Sequence, residues 1–518
     1  MMNEALRHAA KVHAKRPAIL SGEGELSFAD LFARSCRLAN LLADAGVPAG
    51  SRIASLGVNG LTSLEELTAV ALGNFVRSPL YMQDNSARQA YMMRRAGASA
   101  LIVDADCWPA LHAALEPEDV VRIKVVLVRR GHGPLPGGAV HYEEALAQAS
   151  DRDPALPEDP DATYIVRFSA GTTGMPKPIA HSRRAYWFAN EEVLSVTPPV
   201  RPDDVYLAVS PYSHGSGNLV WPFIAAGAAH AVMPGSFNPE VALERIQRHR
   251  CTTLFLVPTM IQRLISSPSC GTTDLSSIRR IIYGAAPIPQ NLIRKALDTF
   301  GMVLAQSYGQ SEIVPITSLR PDDHRPDDSG AWPYLTTAGR VTENSRVRIE
   351  DADGTILPTG QIGEVVGFGP GAMQCIYGDP EATAERITPD GWIRTRDLGW
   401  LDEQGYLHIV DRLDDMIISG GFNIAPSEIE DALNAHDDVV EAVAFGVPHP
   451  EWGATPMAVV RARAGSTVDV ESLMAWSRAR IGNLKKPTQI VLTDEPLPIN
   501  AAGKLMRRVA KEKYGTRI

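Results

Sequence analysis

Short apolar runs alternate with amphipathic segments through the first three hundred residues of the chain. The first segment with helical periodicity begins at Ser27-x-x-Asp30, which is a capping-box pattern. Six of the apolar runs are predicted to be strands: Arg52–Leu56, Ile123–Val128, Thr163–Phe168, Val205–Ser210, Thr252–Val257 and Ile278–Tyr283. Strands that alternate with helices predict an α/β fold with largely parallel sheets.

The pattern changes twice towards the end of the chain. From about residue 339 to residue 413, apolar runs flank the turn Asp351–Gly354, which predicts a small β-rich subdomain. From 414 to 518, Ser427-x-x-Glu430 after Pro426 predicts a helix start, and apolar strands and a helix at Val470–Ile481 follow. We therefore expect a large N-terminal domain, residues 1–413, and a small α+β C-terminal domain, residues 414–518.

Composition is that of a globular protein and narrows the class of partner. The 518 residues are 45% hydrophobic and 21% charged, with a formal net charge of -10. That charge argues against a general nucleic-acid binder, whose phosphate contacts need a basic face, and favours a small-molecule partner. The five cysteines lie far apart and form no CxxC, so we expect neither a zinc site nor a disulfide framework.

Two features bear on membranes and location. The first eight residues carry an acid and a base where a signal peptide would have an apolar run, so we expect a cytoplasmic protein. The 35 residues from Val205 to Pro239 contain no Asp, Glu, Lys or Arg. Prolines and the polar run Ser213–Asn218 interrupt this stretch before it reaches the ~20 apolar residues of a membrane span. We interpret it as buried interior or the wall of a pocket.

The segment Phe168–Lys177 has the strongest chemical signal. It follows a predicted strand with small, hydroxylated and flexible residues and ends in one cation. Backbone N–H groups and hydroxyls beside an ammonium are typical of a phosphate cradle. The glycine spacing and Pro178 after Lys177 exclude a Walker A motif. Taken alone, the segment also fits a plain surface loop.

Four further segments follow in a fixed order: Tyr308–Glu312, Gly391–Gly399, Asp411–Asp415 leading into Gly420–Glu430, and Leu497–Arg508. With the loop, they resemble the motifs of the adenylate-forming superfamily, which contains acyl-CoA synthetases, carrier-protein adenylation domains and luciferases. The resemblance implies the fold of that family: layered α/β subdomains and a β-rich subdomain, followed by a C-terminal lid that rotates between two reaction steps.

The resemblance also implies roles for individual residues. Those expected at ATP or AMP are Thr172, Thr173, Lys177, Gly284, Ala285, Ala286, Gln306, Tyr308, Gly309, Asp397 and Arg412. Ser311 would contact the α-phosphate, and Glu312 would hold Mg²⁺, since a hard cation bridging phosphates prefers carboxylate oxygen. Lys504 would lie between the substrate carboxylate and the α-phosphate, where a cation offsets the repulsion of two anions.

Acyl, hinge and thiol sites are implied with less detail. The acyl pocket would contain His214, Gly217, Val257 and Gly284, although His214 also fits a hydrogen-bonded structural histidine. Asp414 matches the hinge, and the CoA channel would contain Gly420, Gly421, Trp452 and Lys486. Glu451-Trp452-Gly453 is similar to benzoate-type ligases. The chain departs from the family pattern at Ala170, Pro178, Cys375-Ile376, Arg396, Leu484 and Lys486.

The function implied is that of an acid:CoA ligase that uses ATP, Mg²⁺ and CoA. Enzymes that activate amino acids use an acid near the charge-free stretch to pair with the ammonium, and Val205–Pro239 contains none. We therefore expect an aromatic or a short or medium aliphatic acid with an uncharged tail. Two alternatives stay open: transfer to a carrier-protein thiol, and a degenerate, non-catalytic nucleotide-binding protein. We expect no nucleic acid and no membrane span; a homodimer stays open.

Overall fold

The computed structural model describes residues 1–169, 175–419, 422–499 and 505–515. Helices and strands alternate through it, and the prediction of an α/β class is confirmed. The chain divides into two compact units. The first comprises Met1–Val347 and Gly367–Ile393, and the second comprises Arg348–Val366 and the chain from Arg394 onward. The sequence predicts that a rotating C-terminal lid begins at residue 414, and that boundary stays a prediction.

The elements are numbered in chain order. Up to residue 169 they are α1 (Met2–Val12), β1 (Pro17–Ser21), β2 (Gly24–Ser27), α2 (Phe28–Asp44), β3 (Arg52–Leu56), α3 (Ser63–Leu72), β4 (Val76–Pro79), α4 (Ser86–Ala96), β5 (Ala98–Asp104), α5 (Trp108–Ala114), α6 (Pro117–Arg122), β6 (Val125–Arg129), β7 (Val140–His141), α7 (Tyr142–Gln148) and β8 (Thr163–Ser169). The next group is β9 (Lys177–Ser182), α8 (Arg183–Leu194), β10 (Val205–Ala208), α9 (Val220–Ala226), β11 (Ala229–Val232), α10 (Pro239–His249), β12 (Thr253–Leu256), α11 (Pro258–Ile265), β13 (Arg280–Gly284), α12 (Gln290–Phe300), β14 (Leu304–Gln310), β15 (Ile313–Leu319) and β16 (Arg340–Val341). The last group is β17 (Arg346–Glu350), β18 (Gly363–Phe368), β19 (Cys375–Ile376), α13 (Pro380–Arg386), β20 (Ile393–Leu401), β21 (Leu407–Arg412), β22 (Ile417–Ser419), β23 (Phe422–Ile424), α14 (Pro426–Asn434), β24 (Val439–His449), β25 (Gly453–Ala462), α15 (Val470–Lys485), β26 (Gln489–Thr493) and α16 (Arg507–Tyr514).

Two large sheets form the first unit. One has nine strands in the order β16-β15-β14-β13-β12-β10-β11-β1-β2, and the other has eight in the order β19-β9-β8-β4-β3-β5-β6-β7. The central strands of each are parallel, as the alternating pattern predicts. One apolar core joins the two sheets and includes the buried side chains of Leu38 on α2, Tyr164 on β8 and Trp221 on α9. Strands covered on both faces read as continuous apolar runs.

Two smaller sheets form most of the second unit. Strands β17, β18, β20 and β21 form a four-stranded sheet in that order. Strands β23, β22, β25 and β24 form another sheet, in which β26 pairs with β25. Its apolar core contains Ile429 and Leu433 on one face of α14, as the helical spacing predicts. The hairpin signals after residue 339 thus correspond to real strands.

Three local predictions can be compared with the observed ends of elements. The capping box is confirmed, because the Ser27 hydroxyl oxygen accepts the Asp30 N–H at 3.2 Å and the Asp30 carboxylate accepts the Ser27 N–H at 3.1 Å. The cap at Ser427 is wrong. Helix α14 begins at Pro426, whose fixed φ suits the first helical position, so Ser427 lies inside the first turn. The strand expected from Ile123 begins at Val125, since α6 ends at Arg122 and Ile123 is its C-cap residue.

The charge-free stretch is largely buried, as expected. It forms β10, α9 and β11, and the side chains of Tyr206, Trp221 and Phe223 are fully inaccessible to solvent. Helix α9 has only seven residues. Among the described residues, no helix combines the length and apolar character needed to cross a membrane.

Candidate active site

Strand β8 leads into the loop rich in glycine and threonine. It pairs antiparallel with β9 as far as Ser169 opposite Lys177, so the loop joins two neighbouring strands. Lys177 is the half-buried first residue of β9. Thr172 and Thr173 lie outside the described residues, and their roles at phosphate stay predictions.

The second motif lies on β14 and the tight turn that follows it. Strand β14 pairs antiparallel with β15, and Ser311 and Glu312 form the turn between them. A Cβ added to Gly309 would lie 2.7 Å from the carbonyl oxygen of Ile313, so only glycine fits at this position. The hydroxyl of Ser311 and the carboxylate of Glu312 are therefore held in a closely packed turn, next to the ATP residues predicted on β14, Gln306, Tyr308 and Gly309.

The carboxylate of Glu312 has a partner that the motifs did not predict. Arg386 on α13 donates to Glu312 Oε1 at 2.7 Å, and its other contact is the Gln310 side-chain oxygen at 3.4 Å. Only 11% of the Glu312 side chain and 16% of the Arg386 side chain is exposed. The predicted metal ligand thus forms a largely buried ion pair. Arg386 lies outside the five motifs, and nothing in its own sequence context indicated the contact.

The end of β13 lies beside β14. Gly284 is in register with Ser307, and a Cβ on Gly284 would lie 2.2 Å from the Ser307 carbonyl oxygen. Ala285 follows with a φ of 66°, in the left-handed region. The strand pairing therefore brings the predicted nucleotide residues Gly284, Ala285 and Ala286 next to those on β14. Val257, predicted for the acyl pocket, is buried just after β12, the other neighbour of β13.

His214 is half-buried and lies among aromatic and polar groups. Its ring centroid is 4.5 Å from that of Tyr81, and its Nδ1 is 2.8 Å from the Ser213 hydroxyl. Burial and the charges of Arg77 and Arg167 lower the pKa of His214 to about 4, so the imidazole is neutral at pH 7. Gly217, three residues on, has the Tyr212 carbonyl oxygen 2.4 Å from the position of an added Cβ, which excludes any side chain there.

Arg167 connects two parts of the predicted site. One is the segment from Ser213 to Asn218, which contains His214 and is called the acyl segment here, and the other is the turn of Ser311 and Glu312, the Ser311 turn. From β8 the guanidinium of Arg167 donates to the Ser311 carbonyl oxygen at 2.8 Å and lies 3.4 Å from the Asn218 side-chain oxygen. Tyr81 bonds to the backbone of Phe168, the next residue of β8, and touches His214. Within the first unit, the end of β8, the His214 segment and the Ser311 turn therefore meet. The sequence signal for Arg167 was its charge within an otherwise apolar predicted strand.

In the second unit, two residues predicted to bind ATP or AMP face each other across a hairpin. Asp397 on β20 is in register with Arg412 on β21, and the Arg412 Nε lies 3.0 Å from Asp397 Oδ1. The Asp397 side chain is 8% exposed. The pairing of the two strands thus fixes a carboxylate beside a guanidinium.

Arg396 is the residue that departs from the family glycine. Its φ of 62° is in the left-handed region, which explains why glycine suits this position. Its backbone N–H donates to Glu364 Oε1 at 3.0 Å, and its guanidinium lies 2.5 Å from Asp414 Oδ1. The predicted hinge residue Asp414 is therefore bound to Arg396.

The predicted thiol-channel and lysine positions are only partly described. Gly420, Gly421 and Lys504 lie outside the described residues. Trp452 is 43% exposed, and its ring stacks on His449 with centroids 4.4 Å apart. Lys486 directly follows α15 and is half-buried.

A charged cluster in the second unit was not predicted. The guanidinium of Arg507 on α16 lies 2.7 Å from Glu430, 2.9 Å from Asp415 and 3.3 Å from Asp411. The pKa of Glu430 is raised by burial, although Arg507 opposes that effect. This cluster ties α16 and α14 to the end of the hairpin that carries Arg412.

Comparison with known protein families gives two matches. Residues 6–377 match the model described as "AMP-binding enzyme", and residues 428–504 match "AMP-binding enzyme C-terminal domain". Together they cover most of both units.

Individual relatives match over nearly their whole length. A feruloyl-CoA synthase from Amycolatopsis sp is 32% identical over 510 residues, which is 98% of this chain and 97% of that protein. A fatty acid–[acyl-carrier-protein] ligase, ScoC from Streptomyces coeruleorubidus, is 29% identical over 507 residues, 96% of this chain and 93% of that protein. Among solved structures, the amide bond synthetase McbA from Marinactinospora thermotolerans is 30% identical with a TM-score of 0.86, covering 99% of this chain and 100% of that one.

Proposed function

The chain belongs to the AMP-binding enzymes, and from that membership we propose that it is an ATP-dependent ligase that joins a carboxylic acid to the thiol of coenzyme A. The observation that carries the proposal is the meeting of the β8 end, the His214 segment and the Ser311 turn in one unit. An acid and the α-phosphate of ATP have to meet in such a place. Full-length similarity to a CoA synthase supports the same reaction.

In the first step, a carboxylate oxygen forms a bond to the α-phosphorus of ATP. The bond from that phosphorus to the bridging oxygen breaks, and pyrophosphate leaves with the electron pair. Ser311 would donate its hydroxyl to the α-phosphate, and Lys504 would offset the charge that builds up as two anions join. The remaining nucleotide contacts would come from the predicted residues Thr172, Thr173, Lys177, Gly284, Ala285, Ala286, Gln306, Tyr308, Gly309, Asp397 and Arg412.

The residues at Glu312 fit Mg²⁺. Among the described residues, no group of three or more His, Cys, Asp or Glu side chains could hold a metal. A single protein carboxylate is enough for Mg²⁺, because in nucleotide sites this ion takes most of its ligands from phosphates and water. Glu312 would hold the ion, and the ion would neutralise phosphate charge. Arg386 donates to the same carboxylate, so Mg²⁺ would compete with that guanidinium for Glu312.

In the second step, the CoA thiol attacks the carbonyl carbon of the acyl adenylate. A carbon–sulfur bond forms, the thiol loses its proton to solvent, the bond from the carbonyl carbon to the phosphate oxygen breaks, and AMP leaves with the electron pair. We propose that residues 414–518 rotate about Asp414 between the two steps, and that Gly420, Gly421, Trp452 and Lys486 line the thiol channel. The half-exposed ring of Trp452 leaves one face free of His449 for a nucleotide base.

The acid substrate is proposed to have an uncharged tail, aromatic or short to medium aliphatic. Its pocket would be formed by His214, Gly217, Val257 and Gly284. The neutral imidazole of His214 and the absence of acidic residues from Val205 to Pro239 favour a tail without charge.

Acid-dependent pyrophosphate release with ATP and Mg²⁺, across a panel of aromatic and aliphatic acids, tests the first step. No release with any acid would refute the ligase and favour a non-catalytic nucleotide-binding protein. Three acceptors are then compared with the best acid: CoA, a phosphopantetheine-loaded carrier protein and a small amine. The carrier and the amine are included because the names of ScoC and McbA indicate those products. Thioester formation with CoA is the expected result, and a product with only another acceptor would refute CoA as the acceptor.

We also propose a cytoplasmic location and keep the homodimer as a hypothesis. Fractionation of native cells tests the first, and light scattering of the purified protein tests the second. A monomer at all concentrations would refute the homodimer.

A further inference from the structure

Arg167 is a half-buried cation that forms no ion pair with a carboxylate among the described residues. Its Nη2 donates to the Ser311 carbonyl oxygen at 2.8 Å and lies 3.4 Å from His181 Nε2, and its Nη1 lies 3.4 Å from Asn218 Oδ1. Its Nε is buried and has no hydrogen-bond partner among the described residues. A guanidinium carries five N–H donors, and among the described residues only one of those of Arg167 makes a hydrogen bond shorter than 3 Å. Several N–H groups of Arg167 are therefore available to donate to a ligand.

Comparison with two other arginines of the same unit shows what Arg167 lacks. Burial lowers the pKa of Arg167, Arg183 and Arg280. Arg280 lies 3.0 Å from Asp204, and Arg183 lies 4.0 Å from Glu158. Arg167 forms no ion pair within the described part of the chain.

The groups around Arg167 do not supply the missing negative charge. His181 is neutral, because burial and the charge of Arg167 hold its pKa well below the usual range. Glu312 attracts Arg167 electrostatically, but its carboxylate is bonded to Arg386. An uncompensated buried charge is costly, and a bound anion would remove that cost.

We propose that Arg167 binds the carboxylate of the acid substrate before adenylation, a contact that rests on the proposed function. An oxyanion could also come from the α-phosphate. The carboxylate is favoured, because Arg167 lies between the acyl segment, through Asn218, and the Ser311 turn. The guanidinium fork matches the two oxygens of a carboxylate.

The reaction itself shapes the expected kinetics. Adenylation removes the negative charge of the carboxylate, so the contact is strongest with the unreacted acid. A residue that binds the ground state in this way lowers the KM for the acid more than it raises kcat. Loss of Arg167 should therefore raise the KM for the acid while the KM for ATP changes little.

The test is calorimetric titration of the best acid into the full-length enzyme, saturated with Mg²⁺ and α,β-methylene-ATP, whose modified bond prevents reaction. The neutral primary amide of the same acid is titrated in parallel. Arg167→Gln should weaken binding of the acid about tenfold or more and leave binding of the amide unchanged. Arg167→Lys should restore part of the affinity for the acid. Arg183→Gln, at the matched buried arginine, should weaken neither.

Each other outcome has a defined meaning. Equal loss of acid and amide affinity in Arg167→Gln would show a structural role and overturn the proposal. Loss of nucleotide affinity without loss of acid affinity would assign the guanidinium to phosphate and overturn it too. If none of the acids tested causes the wild-type enzyme to release pyrophosphate, the proposed function itself fails. Unchanged acid binding by Arg167→Gln in an active enzyme would overturn only the inference about Arg167.

Discussion

Replacing Arg386 by alanine tests whether this guanidinium competes with a metal ion for Glu312. The two side chains are 2.7 Å apart and largely shielded from water. A hydrogen bond to a charged group contributes about 1.5–3 kcal/mol. Since about 1.4 kcal/mol is tenfold in an equilibrium constant, a metal that displaces Arg386 binds about ten- to a hundredfold more weakly than it would to a free carboxylate. Arg386→Ala should recover that factor.

The assay measures binding without turnover. ATP is titrated into the enzyme in the absence of any acid, once with excess Mg²⁺ and once with EDTA, and the two dissociation constants are compared. Arg386→Ala should increase the advantage of Mg²⁺-ATP over metal-free ATP. Glu312→Gln should abolish that advantage in either background. Glu385→Ala, an exposed change on the same helix, is the control and should behave like the wild type.

One result would refute the reasoning. If Arg386→Ala weakens ATP to the same degree with and without Mg²⁺, the guanidinium contacts the triphosphate and does not compete with the metal. A thermal melt adds an independent check. Loss of Arg386 leaves the Glu312 carboxylate unpaired and should lower the melting temperature of the nucleotide-free enzyme, and Mg²⁺-ATP should raise it by more than in the wild type.

Three further predictions concern the turn, the acyl segment and the lid. Gly309→Ala should destabilise the first unit by about 1–3 kcal/mol and weaken ATP binding, since the added Cβ would lie 2.7 Å from the carbonyl oxygen of Ile313. Urea unfolding measures the stability and titration measures the ATP affinity, and a variant as stable as the wild type would contradict the prediction. The pKa of His214 is about 4 in the folded protein, against an ordinary 6.5, so the unfolded chain binds a proton more readily at this residue. The stability that the neutral imidazole contributes is therefore fully present above pH 6.5 and is lost as the pH falls towards 4. His214→Asn should therefore lose less stability than the wild type between pH 7.5 and pH 5, and equal losses would exclude this linkage. Lys504→Ala should abolish pyrophosphate release yet largely spare thioester formation from supplied acyl adenylate, and equal loss of both steps would contradict its role.

Local patterns predict much of the fold because their causes are local. A capping box needs only two side chains three residues apart, and the one at Ser27 and Asp30 forms as expected. At Ser427 the same pattern misleads, because its N–H and hydroxyl bond to Asp411 and Val410 on the preceding hairpin instead. The competing partners lie 16 and 17 residues away, beyond the reach of a three-residue pattern.

The residues of the candidate site also divide into those that a local sequence pattern predicts and those that depend on contacts distant in sequence. Motif order identifies the Ser311 and Glu312 turn, because its chemistry is carried by consecutive residues. Arg167 and Arg386 acquire meaning only from contacts with residues 144 and 74 positions away. No local spacing encodes such contacts, since they depend on how the two large sheets and α13 pack around the turn. A lone charge in an apolar strand is the one sequence signal that could have drawn attention to Arg167, and the motifs did not include it.

Arg396 shows how a departure from a motif can keep the chemistry of its neighbours. A left-handed φ at a residue with a side chain costs about 1–2 kcal/mol, which is the reason that glycine suits this position. The ion pair with Asp414 and the hydrogen bond to Glu364 offset that strain. The next residue, Asp397, still faces Arg412 at 3.0 Å. The strand pairing that holds Asp397 opposite Arg412 thus tolerates an arginine in place of the glycine, and the contact of Asp397 with a nucleotide stays a prediction.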